Sequence, residues 1–121
     1  MKEDDDIYHS TFVGSHDILD KCILNKEEMD EYLKKTEHID TKKEHDHLYS
    51  VMTNEMRREI LKFIDIHARS FDELKEHFQL DDEKLNYHLS MLREMFFLMN
   101  TSTGWKATPH GLGFLYHTIL K

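Results

Sequence analysis

Ser70-Phe71-Asp72-Glu73-Leu74-Lys75-Glu76-His77-Phe78-Gln79-Leu80-Asp81-Asp82-Glu83-Lys84-Leu85-Asn86-Tyr87-His88-Leu89-Ser90-Met91-Leu92 is the stretch whose reading decides the fold. Ser70 with Glu73 three residues on has the spacing of a capping box, so a helix is expected from Phe71 to Phe78, burying Phe71, Leu74 and Phe78. Gln79-Leu80 reads as a turn, with Leu80 pointing inward. Asp81 or Asp82 caps the next helix, whose positive end suits Asp82 and Glu83. Leu85, Leu89, Leu92 and Phe96 recur at helical spacing and give it one core face. Lys84, Asn86, Tyr87, Ser90 and Arg93 are left facing outward or sideways.

Downstream, Phe97 to Asn100 and Trp105 to Ala107 read as two short strands joined by Thr101-Ser102-Thr103-Gly104. Thr108 then caps a last helix with Pro109 at its first position, carrying Leu112, Leu115, Ile119 and Leu120. Upstream, Asn54 is placed to cap a helix with Met56, Ile60, Leu61, Phe63 and Ile64 on a broad apolar face, ending near His67. Helix, turn, helix, hairpin, helix is the order of a winged helix-turn-helix, which usually sets its second helix in a DNA major groove. The expected fold is mainly α with a small two-stranded β wing, a winged helix-turn-helix with extra N-terminal helices. The recognition helix falls at about 82–96 and the wing at about 97–107.

Three regions are expected along the chain. Residues 1–14 form an acidic, flexible tail whose apolar residues Ile7, Tyr8, Phe12 and Val13 dock on the core. Residues 15–50 form N-terminal helices that make or brace a dimer interface, and residues 51–121 form the winged domain. Ser15 is a cap for a helix from His16 to Leu24 with Ile18, Leu19, Cys22 and Ile23 on its apolar side. Asn25 with Glu28 has capping-box spacing and starts a helix to about Glu37, with a narrow stripe of Met29, Tyr32, Leu33 and Thr36.

At 121 residues the chain suits one domain with a modest core. A single cysteine, Cys22, leaves no internal disulfide and suits a reducing cytoplasm, the expected location. Met1-Lys2-Glu3-Asp4-Asp5-Asp6 lacks the positive start and apolar centre of a signal peptide. The longest run without Asp, Glu, Lys or Arg, Ala107 to Leu120, is shorter than the ~20 apolar residues of a membrane span, so no membrane association is expected. The net charge of −8 is concentrated at the front. Residues 1–50 hold 14 acidic and 7 basic side chains, whereas residues 51–121 hold 10 and 9. The winged part is close to neutral, which gives DNA binding little electrostatic help.

Met56-Arg57-Arg58-Glu59-Ile60-Leu61, Phe71-Asp72-Glu73-Leu74, Leu85-Asn86-Tyr87-His88-Leu89-Ser90-Met91-Leu92-Arg93-Glu94 and Trp105-Lys106-Ala107-Thr108-Pro109-His110-Gly111 carry a resemblance. From about Leu48 to Leu115 the chain resembles the ArsR-like winged-helix regulators common among archaeal and bacterial transcription factors. The resemblance implies a homodimer that binds a short inverted repeat of double-stranded DNA through the helix around Asn86 and Tyr87 and the wing. Where the family usually has Ala-Gly after the Arg-Glu pair, this chain has Met95-Phe96. Phenylalanine does not enter a left-handed turn cheaply, so the helix is expected to run on or end differently and shift the wing. Asp81-Asp82-Glu83 likewise stands where small hydroxyl residues are usual, and carboxylates are repelled by phosphates.

The expected function is a sequence-specific, dimeric DNA-binding transcriptional regulator, with Lys84, Asn86, Tyr87, Ser90, Arg93, Thr103 and Lys106 as contacts. The alternative is a winged module that binds another protein through its acidic surface, including the acidic N-terminal half. No catalytic residue, cofactor or metal is expected. There is no phosphate-binding glycine loop and no Gly-x-Ser-x-Gly nucleophile motif. Glu44-His45-Asp46-His47 is the densest potential ligand cluster, but neighbours one and two apart on a helix diverge. His110 and His117 lie seven apart on one helix face, about 10 Å by the rise of the helix, and cannot share a metal alone, though a second subunit could bring partners close. Cys22 with His16 has no recognised spacing. His88 reads as a satisfied, partly buried histidine beside the core leucines.

Overall fold

The computed structural model describes residues 12–120, with the side chains at positions 41, 42, 44 and 45 left out; the expected acidic tail up to position 11 therefore lies outside the described residues. The chain is mainly helical with one small antiparallel sheet, an arrangement compatible with a winged-helix-like fold. Its elements are α1 (His16–Lys21), α2 (Lys26–Thr36), α3 (Thr41–Val51), α4 (Glu55–Ile64), α5 (Phe71–Phe78) and α6 (Asp82–Glu94). Then follow β1 (Leu98–Thr101), β2 (Gly104–Ala107) and α7 (Pro109–Phe114), which runs on into a π-helical turn over Leu115–Ile119.

Local chemistry sets most helix starts. Ser15, Asn25, Asn54, Ser70, Asp81 and Thr108 each accept a hydrogen bond from a backbone N–H three residues ahead. At Asn25 and Ser70 the reciprocal bond from Glu28 and Glu73 completes a capping box. The ends are equally local. Asp65 (φ 48°) stops α4 at Ile64, three residues before the expected His67, and Gln79 (φ 55°) stops α5.

Leu85, Leu89 and Leu92 of α6 are fully buried and meet Ile60, Leu61 and Ile64 of α4 and Leu74 of α5. Phe97, Leu98, Trp105, Leu112 and Leu115 close this core from the hairpin and α7. Leu98 pairs with Ala107 at one end of the hairpin and Thr101 with Gly104 at the other, leaving a two-residue turn. Arg69 adds a one-residue third strand, exchanging backbone hydrogen bonds with Trp105 at 2.7 and 3.0 Å. A Cβ on Gly104 (φ 127°) would stand 2.9 Å from the Arg69 carbonyl oxygen, so this crossing requires glycine.

A second, smaller cluster joins the N-terminal helices to the winged part. Phe12, Tyr32 and Leu48 are its buried members, with Leu24, Met29, Ile39, Met95, Phe96 and Met99 packed around them. Within the expected N-terminal helices, Thr41–Val51 folds as α3, with Leu48 and Val51 buried. Three expectations are corrected here. α1 stops at Lys21 and buries only Ile18, leaving Leu19 and Ile23 exposed, because Cys22 turns to extended backbone. Leu33 in α2 and Leu120 after the π turn are also exposed.

Phe96 is the third. It does not extend the leucine face of α6. The helix ends at Glu94, Phe96 takes φ 66°, and its N–H donates to the Arg93 carbonyl while that of Phe97 donates to Leu92. This is the left-handed closure that glycine normally supplies, made by phenylalanine. The ring explains it. Phe96 meets Phe12 edge to face at 5.7 Å, and this packing offsets a backbone cost of about 1–2 kcal/mol. Phe96→Ala is therefore expected to destabilise more than Phe96→Gly, by about 1 kcal/mol in urea unfolding, since only glycine relieves the strain. The reverse order would show that position 96 is unstrained in solution.

Candidate nucleic-acid interface

The α5–turn–α6 unit presents α6 by a short route. Asp81 accepts from the Lys84 N–H at 2.8 Å, and Lys75 near the end of α5 bridges to Asp82 at 2.8 Å. Two of the three carboxylates at the start of α6 are thus occupied, one as a cap and one in an exposed ion pair. Asp82 is also what holds the Lys75 ammonium above its ordinary range. With the leucines turned into the core, Lys84, Asn86 and Tyr87 stand exposed and Ser90 is half-buried. Tyr87 is the most exposed large apolar side chain among the described residues, at 56%. By helical spacing the outermost stripe is Glu83, Tyr87, Ser90 and Glu94, so two carboxylates flank the expected contacts.

The remaining cations do not gather on that face. Arg93 is exposed, about two and a half turns from Lys84 but seven residues from Asn86, so it flanks the outward stripe on the Asn86 side of α6. There it lines a cavity of about 540 Å³ with Glu31 and Lys35 of α2 and with Phe96 and Met99. Arg58 donates to the Met52 carbonyl at 2.7 Å. Arg57 is 7% exposed, donates to the Val51 carbonyl and to His88 Nδ1, each at 3.2 Å, and lies over the Tyr87 ring at 5.2 Å.

Lys106, expected as a wing contact, is turned inward. Its ammonium meets Glu28 Oε1 at 2.8 Å, with both side chains nearly buried. The reason is that α2 lies over the hairpin, so both faces of β2 are covered and Trp105, Lys106 and Ala107 are all buried. Burial works to raise the Glu28 carboxyl, but hydrogen bonds from Lys106 and the Asn25 N–H outweigh it and hold it below the ordinary range. At the wing tip Thr103 is exposed and its N–H donates to Thr101 Oγ1 at 3.3 Å. Capping-box spacing was the one sequence signal pointing at Glu28, and it gave no hint of a second partner.

Among the described residues no group of three or more His, Cys, Asp or Glu side chains could hold a metal ion. His110 is buried and stacks on Phe97 at 4.3 Å, while His117 is exposed. Cys22 is half-buried, and burial pushes its thiol up. No helix among the described residues is long and apolar enough to cross a membrane.

These elements define a helix-turn-helix module with a hairpin wing and an N-terminal helical brace. Residues 45–117 match the family described as a domain of unknown function, DUF7347, and the chain belongs to that family. No curated protein and no solved structure matches it.

Two outcomes are expected from this geometry. Lys106→Met strands a buried carboxylate and should cost about 3 kcal/mol in urea unfolding. Adding Glu28→Gln, which keeps the capping box, should restore most of that loss; a Lys106→Met protein as stable as wild type would place Lys106 in solvent. His88 is held below the ordinary imidazole value of 6.5, first by burial and then by the Arg57 charge. The unfolded chain therefore binds this proton more readily, and its contribution to stability is full above about pH 6.5 and lost as pH falls toward the folded value. His88→Asn, which keeps an acceptor without titrating, should flatten the fall in Tm between about pH 7 and 5.5 relative to wild type. Parallel curves for the two proteins would remove His88 from the acid response.

Proposed function

We propose that the chain is a winged-helix transcriptional regulator of the ArsR-like kind, acting in the cytoplasm as a homodimer that reads double-stranded DNA with α6. The observation that carries this reading is the uncovered face of α6. Lys84, Asn86 and Tyr87 remain open to solvent, while the hairpin's second face is covered by α2. An asparagine in the first half of such a helix can bond an adenine edge bidentately, worth ~1–3 kcal/mol of discrimination. Lys106 drops out as a groove contact because it is internally paired, whereas Arg93, exposed and on one stripe with Asn86, stays among the candidate contacts. Thr103 stays available at the wing tip.

A second reading is favoured by the Glu83–Glu94 stripe and by the number of cations held internally: α6 docks on a basic protein surface instead of DNA. The same fold accommodates both uses.

Fluorescence anisotropy of the protein with its own upstream duplex and a scrambled control separates them. The regulator is expected to prefer the upstream duplex, with a shallow salt dependence because each neutralised phosphate contributes a slope of only about −0.9 and few cations are free. Asn86→Ala should weaken upstream binding about ten-fold or more while leaving scrambled binding unchanged. Equal or absent binding to both duplexes at low salt would sink the regulator and leave the protein-binding reading.

A further inference from the structure

Arg57 is an unusual side chain for its position. It is a guanidinium at 7% exposure that forms no ion pair among the described residues. Buried charges are normally neutralised by a partner, because desolvating an unpaired one is costly. Arg57 is held by neutral acceptors only, the Val51 carbonyl at the end of α3 and the His88 ring on α6. Apolar residues share its helix, and a hydrophobe at position 57 would fill the space without that cost. The bond to Val51 caps the end of α3, which accounts for one side of the guanidinium but not for its contact with Tyr87.

What the cation does touch is informative. Its central carbon lies 5.2 Å from the centre of the Tyr87 ring, within the range of a cation–π contact. Tyr87 is 56% exposed on the outward face of α6. The other ring contact of Tyr87 is His88, at 5.5 Å, and His88 is itself the acceptor for Arg57 Nε. An exposed tyrosine on a helix surface ordinarily samples several rotamers. This one is gripped from the inside by a buried cation whose own direction is fixed at two points. The hydroxyl of Tyr87 bonds nothing among the described residues and is left for a partner.

We infer that Arg57 is a positioning residue of the DNA-reading surface, holding the Tyr87 ring in its outward place and supplying from beneath it positive charge that the exposed side chains of α6 largely lack. The inference rests on the DNA-binding reading and deepens it. Tyr87 is the group that meets the DNA backbone or a base edge, and Arg57 acts through it. Pre-setting the ring removes the cost of ordering it on binding, and a fixed positive charge behind it favours phosphate. His88 completes the device by accepting from Arg57 Nε, which keeps the guanidinium under the ring.

The test is a double-mutant cycle on the full chain, with Arg57→Gln, Tyr87→Leu and the pair, read by anisotropy with the upstream duplex. Each single change is expected to weaken binding about ten-fold, and the double no more than about two-fold beyond either single, since both remove one device. Additive losses would overturn the inference. The Tyr87 side-chain signals in the NMR spectrum of the free protein give a reading independent of DNA. Read as side-chain χ1 couplings, which do not depend on the lost imidazole ring current, they should average over several rotamers in Arg57→Gln and in His88→Leu, which lacks the acceptor, and keep one rotamer in His88→Asn, which retains one. Tyr87 couplings that still report one rotamer in a folded Arg57→Gln protein would also overturn it. If Arg57→Gln does not fold, Arg57→Lys and His88→Leu carry the same comparison. A wild-type protein that binds no duplex would remove the regulator reading and the role in DNA reading with it, while the couplings would still decide whether Arg57 holds Tyr87.

Discussion

One carboxylate oxygen ties the two halves of the molecule together. Glu28 Oε1 accepts from the backbone N–H of Asn25 at 2.9 Å, closing the first turn of α2, and from Lys106 of the hairpin at 2.8 Å. The same atom that starts the bracing helix also pins it to β2. One turn further on, the buried Tyr32 hydroxyl donates to the Phe12 carbonyl and accepts from the His110 N–H at the start of α7. Burial raises this phenol well above its ordinary range, so it stays neutral and serves both bonds. Through Glu28 and Tyr32, α2 is fixed against the hairpin and α7 together, and the face of the wing that would otherwise meet solvent becomes interior.

The strained end of α6 follows from that docking. With α2 in place, the second cluster needs an apolar side chain where the chain leaves α6, and Phe96 provides it from a left-handed residue. A glycine there would make the turn freely and leave Phe12 without its edge-to-face partner. The closure geometry is retained and so is the position of the hairpin. Arg93 and Glu94, the last residues of α6, lie beside α2 around the cavity that also involves Glu31 and Lys35. The end of α6 is thus bordered on one side by the brace, while Arg93 and Glu94 themselves stay exposed.

Charge is distributed in the same spirit. Lys106, Arg57 and Arg58 are each committed to internal acceptors, and Lys75 is committed to Asp82. In a near-neutral winged region this leaves few cations for phosphates, so the recognition proposed for α6 would depend on shape and on a small number of well-held side chains. Such a surface trades long-range attraction for local definition.

The sequence by itself determined the parts whose partners lie close by. A cap is a bond to an N–H three residues away, so Asn25, Asn54, Ser70 and Thr108 could be read directly, and the cap of α6 narrowed to Asp81 or Asp82. The buried face of α6 was equally legible, because Leu85, Leu89 and Leu92 repeat at the period of the helix. The hairpin could be read from its turn residues, though its turn is Ser102-Thr103 alone: Thr101 and Gly104, expected in the turn, pair as strand residues, and Phe97 lies before β1. What only the tertiary structure decided lies at long range. Lys106 finds Glu28 across 78 positions, and Arg57 finds His88 across 31. No local pattern reveals whether a lysine on a strand faces water or a helix folded over it, and an arginine early in a helix reads as a surface charge until another helix packs on it. Phe96 is the same case in backbone form. Local propensity alone argued against a left-handed phenylalanine, and contacts from a distant segment made it the stable choice.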